Sequence, residues 1–249
     1  MVAQETPNLL AGVRFSHGIP ILYKVISMNL FPTICIDDFY DDPDSIRNYA
    51  LSLEYFTSTG EYPGKRTKSL HEIDKVFFDD FCEKIMSIYY NFDTTLMNWN
   101  ISTRFQLIEN LSDNKSSPKN TGWIHQDGAA LLGGIIYLTP EIDPSCGTSV
   151  FKLKDSIEHD TGDLTIRTDF HSKNIDRDYD CNIVKHNSQF VETIRFDNHY
   201  NRLIAFEGGV FHGVNNFYSN KQRLTQVFFV HNIESNCRSP IERMKIIKR

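Results

Sequence analysis

The stretch Trp123-Ile124-His125-Gln126-Asp127-Gly128 decides how the rest of the chain is read. If residues 123–127 are extended, alternation of side chains puts His125 and Asp127 on one face and Gln126 on the other. Far downstream stand Phe211-His212-Gly213 and Gln222-Arg223-Leu224-Thr225. Two imidazoles and one carboxylate can form one face of an octahedral shell, leaving three adjacent positions open on ferrous iron. The triplet alone is weak. With 9 histidines and 32 acidic residues in the chain, roughly one such triplet is expected by chance. Order and spacing carry the reading: a strand-borne His-x-Asp, then much later a glycine-flanked His212, then an arginine on another expected strand.

Each residue type suits a task. A neutral histidine and a carboxylate hold Fe(II) and leave neighbouring positions for a bidentate ligand and dioxygen. If that ligand is a keto acid, its far carboxylate enters a dry barrel and needs a partner. The planar fork of Arg223 matches it. Thr225 points the same way on the strand and offers a hydroxyl, Val227 and Phe229 continue that face, and Leu224, Gln226 and Phe228 take the other. Taken singly, each histidine is more often structural than a ligand, and Arg223 is more often an ion-paired surface residue.

The whole chain is compatible with such a site. Its 249 residues suffice for one β-rich domain with a large core. A net charge of −6 argues against a dominant nucleic-acid or anionic-membrane surface. The five cysteines Cys35, Cys82, Cys146, Cys181 and Cys237 are odd in number and show no Cys-x-x-Cys pair, which argues against a disulfide framework or a thiolate zinc site. Met1-Val2-Ala3-Gln4-Glu5 lacks the basic start and apolar core of a signal peptide, and no apolar run is long enough to span a membrane. A cytoplasmic protein is expected.

Along the chain, residues 19–23 and 31–36 read as two early strands. Asp42 caps a helix opened by Pro43 and running to about Leu53, with Asp44 complementing its positive end. The acids from Asp37 to Asp44 lack the spacing, glycine and terminal glutamate of a calcium loop. Tyr62-Pro63-Gly64-Lys65-Arg66 is a turn with two cations, and an apolar stripe predicts a second helix over Glu72–Tyr89. Strands are expected from about Trp99, through 104–108, the His125 segment, 131–138 and 148–152, and again at 202–206, 208–212 and 223–230. The polar stretch 154–200 reads as an insertion between core strands, with a short helix near Asn187–Ile194. Its His159, His171, His186 and His199 have no metal-ligand spacing. Residues 238–249 read as a solvated tail. One domain over 1–249 is expected: supporting strands and helices over 1–98, a catalytic core over 99–231, and a tail over 232–249.

The sequence resembles the iron- and 2-oxoglutarate-dependent dioxygenases, nearest their prolyl-hydroxylase-like branch. The resemblance rests on Trp123 to Asp127, Gly134-Ile135-Ile136-Tyr137-Leu138, Cys146 to Phe151, Asn201 to Phe206, Phe211-His212-Gly213 and Arg223-Leu224-Thr225. Asp42-Pro43, Tyr62-Pro63-Gly64 and Asn201-Arg202-Leu203 also resemble members encoded by bacteria and phages. The family's Gly-Gly-x-Thr-x-Phe motif has Cys146 for its first glycine and Ser149 for its threonine. Collagen-type prolyl hydroxylases carry lysine where Arg223 stands, and the nucleic-acid demethylases carry a second arginine that this chain lacks.

The resemblance implies a mainly β fold with flanking helices, a double-stranded β-helix (jelly-roll) core, and an N-terminal α/β region. It implies Fe(II) on His125, Asp127 and His212, and 2-oxoglutarate on Arg223 with Tyr137 and Thr225. Ascorbate would be a supporting reductant, and dioxygen would be consumed with hydroxylation of a peptide side chain or small molecule. The competing readings are a cupin-like metal protein without a keto acid and a non-catalytic jelly roll.

Overall fold

A computed structural model describes residues 30–57, 62–155, 171 and 179–247. Ten strands and five α-helices follow one another along these segments: β1 (Ile34–Ile36), α1 (Pro43–Ser52), β2 (Phe56–Thr57), β3 (Lys65–Arg66), α2 (Leu70–Ile73), α3 (Lys75–Ser87), β4 (Met97–Ile108), β5 (Leu132–Tyr137), β6 (Thr148–Leu153), α4 (Tyr179–Asn187), β7 (Phe190–Phe196), β8 (Leu203–Glu207), β9 (Phe211–Val214), β10 (Arg223–Ser235) and α5 (Pro240–Ile246). Seven strands form one antiparallel sheet in the order β1-β8-β5-β10-β4-β3-β2, and three form a smaller one in the order β7-β6-β9.

The two faces of the large sheet have different partners, as the alternation in β10 demands. Leu224, Phe228 and Val230 join Leu132, Ile136 and Phe105 against Phe78, Phe81, Ile85 and Met86 of α3. Burying each such side chain contributes about 1.5–3 kcal/mol. Gln226 lies on that same face and is satisfied there. It accepts from the Tyr40 hydroxyl at 2.6 Å and donates to Thr103 Oγ1 at 3.1 Å. On the opposite face, Tyr137, Ile204 and Phe206 pack against Val150 and Phe196 of the small sheet. The cleft between the two sheets is where the chemistry-bearing residues converge.

Local chemistry explains the helix ends. Asp42 Oδ1 accepts from Ser45 N at 3.0 Å, capping α1 above Pro43. The single helix expected over Glu72–Tyr89 is two, because Asp74 leaves helical geometry (φ −149°) and caps α3 through Phe77 N at 3.0 Å. An aspartate satisfies an orphan amide at a helix start better than it serves an interior.

The stretch 154–200 also departs from expectation. No helix covers Asn187–Ile194; α4 ends at Asn187, and β7 pairs antiparallel with β6 from Phe190 onward. Val191, Thr193 and Ile194 are β-branched and suit a strand on a sheet edge. The tail expected from residue 238 contains α5, where Ser239 N donates to Glu242 Oε2 at 3.0 Å and Arg243 donates to Tyr89 O at 2.7 Å. The strand expected over 19–23 lies outside the described residues. Of that expected over 31–36, residues 34–36 form β1 on the edge beside β8. Among the described residues, no helix is long and apolar enough to cross a membrane.

Candidate metal centre

The His125 segment is not a regular strand. It touches β9 through one bridge, in which His125 N donates to His212 O and His212 N to His125 O, both at 2.9 Å. Its outer edge is held by side chains of α4. Asn187 accepts from Ile124 N at 3.1 Å and donates to Gly122 O at 3.0 Å, and His186 Nε2 donates to Ile124 O at 2.7 Å. An amide side chain thus stands in for a neighbouring strand. His186 also stacks on the buried Trp123 ring, 4.6 Å between centroids.

His125, Asp127 and His212 come together, with one ligand atom from each within 4.8 Å of the others; they are the single such group of metal-ligating residues among the described residues. His125 Nδ1 lies 2.8 Å from Trp123 O, and His212 Nδ1 lies 2.9 Å from Val210 O. A carbonyl can only accept, so each Nδ1 carries the proton and each Nε2 is the basic nitrogen. Those nitrogens face Asp127, at 3.7 Å from Oδ1 for His125 and 3.4 Å from Oδ2 for His212. Metal-ligating histidines are oriented in this way by a second hydrogen bond.

The surroundings fix the carboxylate too. Asp127 N donates to Gly208 O at 2.8 Å. A Cβ at Gly208 would stand 2.0 Å from Ala130 O, so only glycine allows this close approach. A Cβ at Gly133 of β5 would meet Asp127 Oδ2 at 3.1 Å. Phe206 packs its ring 4.4 Å from that of His212.

Deeper in the same cleft is a second group. Arg223 is 2 % exposed, and Tyr137, Thr148 and Thr225 are fully buried. Thr225 and Tyr137 are direct partners across β10 and β5. Arg223 Nε donates to Cys146 O at 3.1 Å, and its guanidinium carbon lies 5.4 Å from the Tyr137 ring centre. Arg223 Nη2, Tyr137 Oη, Thr148 Oγ1 and Thr225 Oγ1 are buried and complete no hydrogen bond of normal geometry, although Tyr137 lies close enough to Arg223 and Thr148 for both to favour its ionised form. Burial pulls the guanidinium below its ordinary pKa and pushes the phenol up, while each group's charge partly offsets the other's shift. Donors buried without acceptors are costly, and a carboxylate would satisfy them with charge-assisted bonds.

The expected residues Arg223, Tyr137 and Thr225 therefore share one pocket. Thr148 belongs with them and was not anticipated. Ser149, matched by sequence to the motif threonine, instead turns away and donates to Glu192 Oε2 at 2.8 Å. Strand parity held the signal: Val150 lies opposite His212 in the register of β6 and β9, so Thr148 shares the cleft-facing side and Ser149 does not. His159 lies outside the described residues.

Two sheets of this order, facing each other across a cleft, make the core a double-stranded β-helix, as expected. The fold is shared with a crystal structure of HygX from Streptomyces hygroscopicus with nickel, 2-oxoglutarate and hygromycin B bound. That match has 10 % identity and a TM-score of 0.50, covering 80 % of this chain and 82 % of that one. A prolyl-4-hydroxylase from Pseudomonas putida is also similar, at 12 % identity and TM-score 0.45, over 80 % of this chain and 92 % of that one. So is a prolyl hydroxylase from Trichoplax adhaerens in complex with a hypoxia inducible factor oxygen degradation domain peptide fragment, at 12 % identity and TM-score 0.46, over 87 % of each chain. No curated protein matches the chain. The chain belongs to the family of unknown function DUF6445, whose model matches residues 21–219.

Proposed function

We propose that the protein is an Fe(II)- and 2-oxoglutarate-dependent oxygenase that hydroxylates an unactivated C–H bond of a peptidyl side chain or an amino acid. One observation carries this reading. A tautomer-locked His-Asp-His group and a buried, half-satisfied arginine with three orphan hydroxyls occupy the same cleft. Thr148 is one two-residue step along β6 from the position opposite His212, about 7 Å. That separation suits a short dicarboxylate chelating at one end and ion-paired at the other. The fold shared with a protein that binds nickel and 2-oxoglutarate supports the same assignment.

In this scheme His125 Nε2, His212 Nε2 and an Asp127 oxygen hold the metal. Bound Fe(II) with 2-oxoglutarate would supply oxygen activation, coupled to oxidation of the keto acid to succinate and carbon dioxide. Arg223 anchors the distal carboxylate through its Nη2 edge, with Tyr137, Thr148 and Thr225 donating hydroxyls. Phe206, Val150 and Ile204 wall the cleft and exclude water, which strengthens each of those contacts. A cupin-like metal protein without a keto acid would leave these buried donors unexplained.

The purified protein with Fe(II), ascorbate and dioxygen should convert 2-oxoglutarate slowly to succinate even without substrate. An absorption band dependent on both iron and keto acid should appear under anaerobic conditions. Absence of both signals overturns the reading.

A further inference from the structure

The face of the large sheet that reaches the metal centre does not end there. Gly133, Phe229 and Ser102 lie opposite one another on β5, β10 and β4, and Ile135, Val227 and Arg104 form the next row. One row further, Gln106 of β4 pairs with Arg66 of β3 on the same face. Arg66 is braced there. It donates to Gln106 Oε1 through Nε at 3.2 Å and Nη2 at 3.0 Å, and its guanidinium lies 3.9 Å over the Tyr62 ring and 6.0 Å from that of Phe229.

Arg104 is different. It is half-buried, yet its guanidinium has no hydrogen bond and no ion pair among the described residues. Its neighbour on the same face, Ser102, lies with Oγ 2.9 Å from the His231 ring, which also contacts the Ala129 backbone. The Arg104 charge helps burial lower the His231 pKa. Arg104 is the next residue after Ser102 on this face of β4, and Ala129 is two residues beyond Asp127, so Arg104 lies one row from the part of the sheet that adjoins the loop carrying the candidate metal ligand.

We propose that Arg104, supported by Arg66, is a specificity-determining site that seats an anionic group, a carboxylate or a phosphate, of the substrate. Resting on the oxygenase reading above, this assigns the substrate to the anions. With neighbouring strands about 4.8 Å apart and successive rows about 7 Å apart, the Arg104 backbone stands about 12 Å from Gly133, where the cleft meets Asp127. Phe229 and Val227 between them offer an apolar floor to the connecting part of the molecule. A guanidinium with no counter-ion among the described residues, on the cleft-facing side of the sheet, is suited to bidentate recognition of such a group.

The test uses the zinc-loaded protein with N-oxalylglycine, an unreactive analogue of 2-oxoglutarate. Inorganic phosphate and, separately, N-acetylglutamate are titrated while arginine Nε–Hε NMR signals are followed. The Arg104 signal should shift saturably, and the tighter probe identifies phosphate or carboxylate as the preferred group. Arg104→Met should weaken that probe about tenfold or more, whereas Arg104→Lys, which keeps the charge but loses the planar fork, should fall between that variant and the parent. Equal weakening by both variants, no shift with either probe, or parental affinity in Arg104→Met overturns the proposal. The Arg223 signal in the same samples reports N-oxalylglycine. Its silence beside a responding Arg104 would remove the oxygenase reading alone, and the converse would remove only the anion site.

Discussion

His125 and His212 exchange both of their main-chain hydrogen bonds, each at 2.9 Å, while their rings tilt together with centroids 4.4 Å apart. Two residues 87 positions apart in sequence are thus aligned by backbone, independently of any ion. Each ring is then turned by a carbonyl two residues before it in the chain. The donor set is preorganised, so metal binding need not supply that ordering.

Removing one donor should cost more than disturbing its support. His212→Ala is expected to weaken Fe(II) or Co(II) binding at least about a hundredfold. Gly133→Ala, which presses a methyl group toward Asp127 Oδ2 at 3.1 Å, should weaken it about tenfold with a nearly unchanged melting temperature. Competition with a calibrated chelator measures both. Parental affinity in His212→Ala would take that residue out of the ligand set.

Arg223 is a buried cation with part of its fork unsatisfied. Replacing such a group by an apolar side chain of similar size is often neutral or stabilising. Cys146 O, which accepts from Arg223, also accepts from Asn198 Nδ2 at 3.2 Å and would keep a partner. Arg223→Met is therefore expected to melt no lower than the parent without ligands. At a 2-oxoglutarate concentration a hundred times its Kd, the parent should gain about 2.7 kcal/mol, and the variant should gain almost none. Thermal scans with and without 2-oxoglutarate decide this.

The two neighbours on β6 should separate cleanly. Thr148→Val removes one neutral donor from the pocket and should weaken 2-oxoglutarate binding by about 2- to 13-fold, the value of one hydrogen bond. Ser149→Ala disturbs a bond to Glu192 and should leave that affinity unaltered. Titration calorimetry on the metal-loaded variants tests the pair, and the reverse ranking would refute the assignment of Thr148.

Acid sensitivity has an identifiable contributor at the sheet edge. Arg202 makes a two-point contact with Asp37 and holds its carboxyl below the ordinary range. A depressed folded-state pKa stabilises above the unfolded value and ceases to do so as pH falls through the folded one. Asp37→Asn should thus lose stability at neutral pH and show a flatter decline below about pH 4. The side chain is 48 % exposed, so the loss should be under about 1 kcal/mol. Urea titrations from pH 7 to pH 3 measure it.

Much of this protein was legible because it depends on local, periodic chemistry. The alternation in Arg223-Leu224-Thr225-Gln226-Val227-Phe228 sorted pocket from core, and the Asp42-Pro43 pair announced α1. The composition of the candidate site, His125, Asp127, His212 and Arg223, was also readable from residue types and order. What the sequence could not decide depends on partners distant along the chain. Asp74 splits a helix only because its cap competes with the stripe around it, and β7 is a strand because β6 lies beside it. The His125 segment needs no strand on its outer side because Asn187 and His186 supply the bonds. Thr148 enters the pocket through register with His212. Periodicity is a property of neighbours in sequence, whereas these choices are made by hydrogen bonds and contacts that exist only once the two sheets have closed on each other.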